Sequence, residues 1–167
     1  MSARTFQELL IDELKDVYDA ERRLVRSLPK LVKAAHDPAL RSALENHLTE
    51  TEGHVDRLER CFEQLGENPA RKTCKAMEGI LEECDSMLKE ADDGRLRDAL
   101  IIAAAQKVEH YEIATYGTLR DWSRQLGHSD IASTCQTTLD EEERADKLLT
   151  VLSAELNTQA ARTHTEM

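Results

Sequence analysis

The chain has 167 residues and a formal net charge of -11, which is enough length for one domain with a real core and the wrong sign for nucleic acid or an anionic membrane surface. Charged residues make up 33% and aromatics 4%, with 6 glycines and 3 prolines, a composition that favours long helices and argues against a sheet. No apolar run approaches the roughly 20 residues of a membrane span, and the start MSARTFQELL carries no apolar signal region, so the expected compartment is the cytoplasm.

The first helix is expected from about Thr5 to Ala35, with Pro29 placed to kink it near its end. Asp37-Pro38 marks a turn and the start of a second helix, which runs to Leu65 and stops at Gly66-Glu67-Asn68-Pro69. From about Arg71 to Ala91, the spacing of Met77, Ile80, Leu81, Cys84 and Leu88 predicts a shorter amphipathic helix, ended by Asp92-Asp93-Gly94. A third long helix is expected from Arg95 to Leu126, with Gly127 terminating it, and a fourth from Ser129-Asp130 to about Leu156. The domain therefore spans 1–156, and the apolar-poor tail 157–167 is expected to be disordered. Two short turns and one long connection predict an all-α antiparallel four-helix bundle of two hairpins with an extra crossover helix.

The inward faces hold the chemistry. Each helical residue advances about 100°. On the first helix Leu10, Leu14, Val17, Val25 and Leu28 fall within about 40° of Glu21. On the second, Leu40, Leu58 and Cys61 surround His54, and Glu50 and His47 share that face. On the third, Ile101, Val108, Tyr116 and Leu119 surround Glu112, with Glu109 about 60° away. On the fourth, Ile131, Cys135 and Leu149 surround Glu142; Asp146 is about 40° off, while Glu141 and Glu143 diverge by about 100° to either side.

Buried carboxylates need a positive partner. No Lys or Arg shares these faces centrally, so a metal is the expected partner, with Glu21, Glu50, His54, Glu109, Glu112, Glu142 and Asp146 as candidate ligands. The competing reading is a set of partly solvated polar layers, disfavoured because four helices show the same anomaly. His47 is expected behind the ligands or at a bundle end, His110 in a structural role, and Tyr18 and Tyr116 in the core with hydroxyls reaching a carboxylate. Cys61 and Cys135 read as small core residues, while Cys74 and Cys84 have no assigned role. Removing the charge of Glu142 is expected to weaken metal binding and to stabilise the metal-free protein.

The stretches ELKDVYDAERRL, HLTETEGHVDRLE, CKAMEGILEE, AAAQKVEHYEIATYGTL and TLDEEERAD resemble the YciF-like bacterial stress proteins of the ferritin-like superfamily, across the chain to about residue 156. The pair Glu109 and Glu112 is also similar to the paired glutamates of one rubrerythrin helix. The resemblance implies two metal ions and oxygen or peroxide chemistry, in a catalase-like or peroxidase-like protective role, within a homodimer. It also leaves room for a protein that sequesters metal without turnover, or a stress-induced interaction module with a vestigial site.

This chain departs from the superfamily's Glu-x-x-His pattern. Gly53 stands three residues after Glu50, His54 comes one later, and Asp146 stands where ferritins and rubrerythrins use His. One histidine among many carboxylates makes an oxygen-rich site suited to manganese or iron. Six carboxylates exceed the charge of two divalent ions, which makes Glu109 or Asp146 the marginal member.

Overall fold

The computed structural model describes residues 5–69, 72–92 and 94–162. Five helices follow in order: α1 (Phe6–Ala34), α2 (Pro38–Leu65), α3 (Lys75–Glu90), α4 (Gly94–Gln125) and α5 (Ser129–Arg162). Their ends follow local chemistry. Thr5 and Glu8 form a reciprocal capping box at the start of α1, with bonds of 3.1 and 3.0 Å. Asp37 caps α2 by accepting from the amides of Ala39 and Leu40, and Pro38 fills the first turn, where its missing N–H costs nothing. Gly66 closes α2 in the left-handed conformation, φ 65°. Cys74 caps α3, and its own amide donates to Asp19 at 2.8 Å.

Two boundaries differ from the sequence reading, while Pro29 lies inside α1, where that reading placed it. The helix of the connecting segment begins at Lys75; Arg71 and Asp93, which the sequence placed at its edges, lie outside the described residues. α5 continues past the expected end at Leu156 to Arg162, because Leu156 and Ala160 are both buried four residues apart and keep its apolar stripe going. The expected tail therefore starts inside a helix, and 163–167 lie outside the described residues.

α1 packs along α2, and α4 along α5; α1 also meets α4, and α2 meets α5, while α3 lies against α4 and α1. The core is two apolar clusters. One contains Leu24, Leu28, Leu44, Ile101, Val108 and Leu149, together with Met77 and Cys84 of α3. The other contains Leu10, Leu14, Leu58, Phe62, Leu119 and Ile131. On each of the four long helices the polar residues Glu21, His54, Glu112 and Glu142 fall between the two clusters, so they form one polar layer with apolar packing on both sides. Among the described residues no helix is long and apolar enough to cross a membrane.

The turn between α1 and α2 is tied to α4. Asp98 is buried and accepts from the amides of His36 and Asp37 at 2.7 and 2.9 Å. A side chain at Gly94 would come within 2.9 Å of the His36 ring, so the start of α4 needs glycine for this close approach. Asp98→Ala leaves two amides without their charged acceptor and is expected to cost about 2–4 kcal/mol. A shift in the urea midpoint at unchanged slope measures it; an unshifted midpoint would show that water replaces the carboxylate.

Candidate metal centre

The polar layer collects side chains from all four long helices. Glu21, His54, Glu112 and Glu142 are fully buried, and Glu109 is 2% exposed. Ligand-type atoms of His47, Glu109, Glu112 and Glu142 lie within 4.8 Å of one another, and so do those of Glu21, His54 and Glu142. Glu142 belongs to both groups. A carboxylate has two oxygens, so this one residue can serve two neighbouring cations.

Of the seven residues expected from the sequence, the structure brings five together: Glu21, His54, Glu109, Glu112 and Glu142. Glu50 and Asp146 stand apart. The Glu50 side chain is 39% exposed and its nearest cluster contact is His47 Nδ1 at 3.9 Å. Asp146 faces His110 Nε2 and Gln106 Nε2, both at 3.3 Å. His47 takes a more central place than the sequence gave it, 3.4 Å from Glu109 Oε1 and 3.9 Å from Glu142 Oε2. Its signal was visible: it shares a face with Glu50 and His54, one helical turn before Glu50.

Among the described residues, ten buried side-chain polar atoms lack a hydrogen-bond partner, and nine of them belong to this cluster. They include both ring nitrogens of His47 and both oxygens of Glu112 and of Glu142. Leaving so many buried acceptors unpaired costs far more than folding tolerates at random. Oxygen-rich donors with two imidazoles suit hard or borderline divalent cations, so the residues present fit a metal. The charge count also closes: Glu21, Glu109, Glu112 and Glu142 balance two divalent ions once Glu50 and Asp146 are set aside.

The surroundings orient the donors. His54 Nε2 lies 2.8 Å from Glu141, which Arg57 grips through both guanidinium nitrogens. This leaves Nδ1 facing the cluster, 3.0 Å from Glu142 Oε1 and 3.3 Å from Glu21 Oε1, without the alignment of a hydrogen bond. The Tyr116 hydroxyl donates to Glu21. Tyr18 donates instead to Glu59 at 2.8 Å. Arg57 and Glu141 were missed by an inward-face argument, because both sit off the apolar stripe and reach the layer by their length.

The same geometry splits the charges. Burial lowers the His54 pKa, but the Glu21 charge and the Glu142 contact more than offset this and push it up to about 11. Burial raises Glu142, yet His54 holds it below the usual carboxylate range. Burial raises Glu109 and Glu112 as well, and the Glu142 charge for the first and the Glu21 charge for the second push them further up.

The helical bundle, with a carboxylate–histidine layer buried in it, has a ferritin-like fold. It aligns with ferritin-like diiron-carboxylate proteins from Bacillus anthracis str. Ames at a TM-score of 0.70 and 16% identity, covering 90% of this chain and 99% of that one, a likeness of fold. The chain belongs to the family of the domain of unknown function DUF892, whose model matches residues 5–162. It is 41% identical to protein YciF of Escherichia coli (strain K12) over 154 residues, 92% of this chain and 93% of that protein. The crystal structure of that stress protein superposes at a TM-score of 0.89 over 93% of this chain and 99% of its own. YcfI of Rhodopseudomonas palustris, called a candidate structural protein, is 40% identical with a TM-score of 0.87 over 89% of this chain and 95% of its own.

Proposed function

We propose that this protein binds two ions of iron or manganese, which would supply chemistry toward oxygen or peroxide in stress protection. The observation that carries the reading is Glu142, shared by two metal-capable groups in a layer of orphaned acceptors. Glu21 and His54 would hold one ion, His47, Glu109 and Glu112 the other, and Glu142 both. Such ions supply Lewis acidity and electrons for chemistry at an O–O bond. The chain's own part is to orient and to insulate. Arg57 fixes Glu141, Glu141 fixes the His54 ring, and Tyr116 fixes Glu21. The two apolar clusters pack on either side of the layer. Loading exchanges protons on His54, Glu109 and Glu112 for cation charge, so proton release accompanies binding.

The topology belongs to the same proposal. One apolar cluster is met late on α1, early on α2, early on α4 and late on α5. That order supports two antiparallel hairpins joined by α3 as a crossover. α3 spends Met77 and Cys84 on the bundle, so a homodimer, read by light scattering near twice 18.9 kDa, would use another face. All four cysteines are free and buried, which fits a reducing cytoplasm.

A second reading rests on the self-neutralising part of the layer. His54, Arg57, Glu141 and Glu142 pair among themselves without metal, as a structural module with a vestigial site would require. Elemental analysis after expression in iron- or manganese-supplemented medium decides between them. Two ions per chain with peroxide consumption supports the enzyme, two ions without turnover a sequestering protein, and none the vestigial module. Asp146→Asn is expected to leave the metal content unchanged, since Asp146 turns to His110 and Gln106; a lost ion would restore Asp146 to the ligand set.

A further inference from the structure

A cavity of about 210 Å3 lies beside the polar layer, walled by all five helices. Its walls are mostly apolar, with Leu24, Leu28, Leu44, Ile80, Val108 and Leu149 and the polar Asn46 and Glu50 among them. Ala43, Ala104 and Ala105 stand where longer side chains would close it. The inner end is different. There His47 and Glu109 line the cavity and belong to the metal-capable cluster as well. Both His47 ring nitrogens and one Glu109 oxygen lack a hydrogen-bond partner, and His47 is 7% exposed. At the outer end Leu148 is 46% exposed beside Arg144, and Glu50, its side chain 39% exposed, lines the cavity as well, so the mouth is greasy with one charge of each sign.

An apolar void of about 150 Å3 admits a benzene-sized guest. The larger void here accommodates a chain of roughly six to ten carbons on the same scale. Packed interiors rarely keep such a space, because lost dispersion contacts are costly. Its polar end also constrains the guest. With His47 and Glu109 holding an ion, the inner end presents the edge of a cation centre. An ammonium head would be repelled there. A carboxylate is attracted to it and offers the oxygen donors that hard cations take.

We propose that this cavity binds a medium-chain monocarboxylate, its tail among the leucines and its head at the His47–Glu109 edge of the metal centre. The inference rests on the reading of the layer as a metal centre and names the class of molecule that reaches it. Leu148 gives the tail an apolar threshold. Fixing the head at His47 sets the first carbons of the chain closest to the centre.

Octanoate is the probe, and metal content is measured first by elemental analysis on the same samples. Manganese-loaded protein is expected to bind octanoate at least about 100-fold more tightly than acetate by calorimetry, since each buried methylene contributes about fourfold. In 13C spectra the paramagnetic ion should broaden the carboxylate carbon far more than the terminal methyl carbon. Ala43→Leu, at a half-buried position, should cut octanoate affinity at least about tenfold while metal content stays at the wild-type level. Ala104→Leu is the second filling variant, should the first disturb the fold. A loaded protein that binds octanoate no better than acetate overturns the cavity assignment and leaves the metal centre standing. Equal broadening along the chain, or equal affinity for octanol, overturns the head-group assignment. A chain that takes up no metal overturns both readings, and the elemental analysis identifies that case. A dimer that dissociates in Leu148→Asp and never binds octanoate gives the mouth to a second copy and overturns the proposal.

Discussion

Glu142→Gln is expected to strip the protein of metal and to weaken the metal-free fold, while Glu112→Gln strips the metal and strengthens that fold. Crowding alone makes every acid in the layer equally costly, and on that basis neutralising Glu142 should relieve the metal-free protein. The structure distinguishes the acids. Glu142 is the near counter-ion of His54, 3.0 Å from Nδ1, and keeps its charge. Deleting that charge leaves a buried cation with less compensation. Glu21 and Glu141 still flank it, so the cost is about 1–3 kcal/mol rather than the 3–5 of a fully orphaned ion. Glu112 is kept protonated, and so neutral, by burial and by the Glu21 charge. Gln supplies that neutral shape permanently, for a gain of about 1–3 kcal/mol near neutral pH. Both variants delete an anionic donor, and metal occupancy should fall at least about tenfold. Glu143 is exposed, and Glu143→Gln should change stability by no more than about 0.5 kcal/mol and leave the metal alone. Elemental analysis plus urea melts of the metal-free variants reads all three. Opposite stability shifts for Glu112→Gln and Glu142→Gln are the signature; shifts of the same sign would remove His54 as the charge that organises the layer.

Helical period made most of the fold legible. Breakers at Asp37-Pro38, Gly66 and Gly127 fell at observed helix ends, because capping chemistry is local and written in a few residues. The end of α5 was not legible. It depends on Leu156 and Ala160 finding a surface, which is tertiary information. In the layer, residues at the centre of an apolar stripe, such as Glu21 and Glu142, were placed by angle alone. Residues at the edge of a stripe were not separable that way. Asp146 at about 40° turns outward to His110, whereas Glu109 at about 60° turns inward. A carboxylate on two or three rotatable bonds can choose either side, and the neighbouring helix decides. Long side chains blur the angle further: Glu141 reaches His54 from a flank, and Arg57 follows it. Asp98 is satisfied in a different way. It is a buried acid with no metal to hold, and its partners are two backbone amides of a distant turn.

The metal-free protein is expected to lose stability steadily as pH rises from about 5 to 8, and the metal-loaded protein to gain it. In the folded metal-free chain Glu109 and Glu112 hold protons that the unfolded chain releases above the ordinary carboxyl value of 4.5. His54 likewise stays protonated up to about 11, against 6.5 in the unfolded chain. A raised folded-state pKa contributes stability below the unfolded value and loses it as pH climbs toward the folded one. All three groups therefore act in one direction across this window. Groups with lowered values, Glu142 and Glu141, act below it: their stabilisation is present above about 4.5 and is lost on acidification. The metal-free optimum should thus lie near pH 5. A difference of one bound proton is worth about 1.4 kcal/mol per pH unit, so three units should lower the melting temperature by about 5–15 °C after allowance for relaxation and entering water. Loading reverses the sign. A ligand must be deprotonated to bind, and lower proton competition at higher pH tightens the metal and raises the melting temperature by mass action. Melting curves at pH 5, 6.5 and 8, with and without chelator, carry the test. A metal-free melting temperature that stays flat over this range would mean that Glu109, Glu112 and His54 are not packed together in a dry layer. Parallel slopes with and without chelator would mean that the layer, though packed, takes no metal.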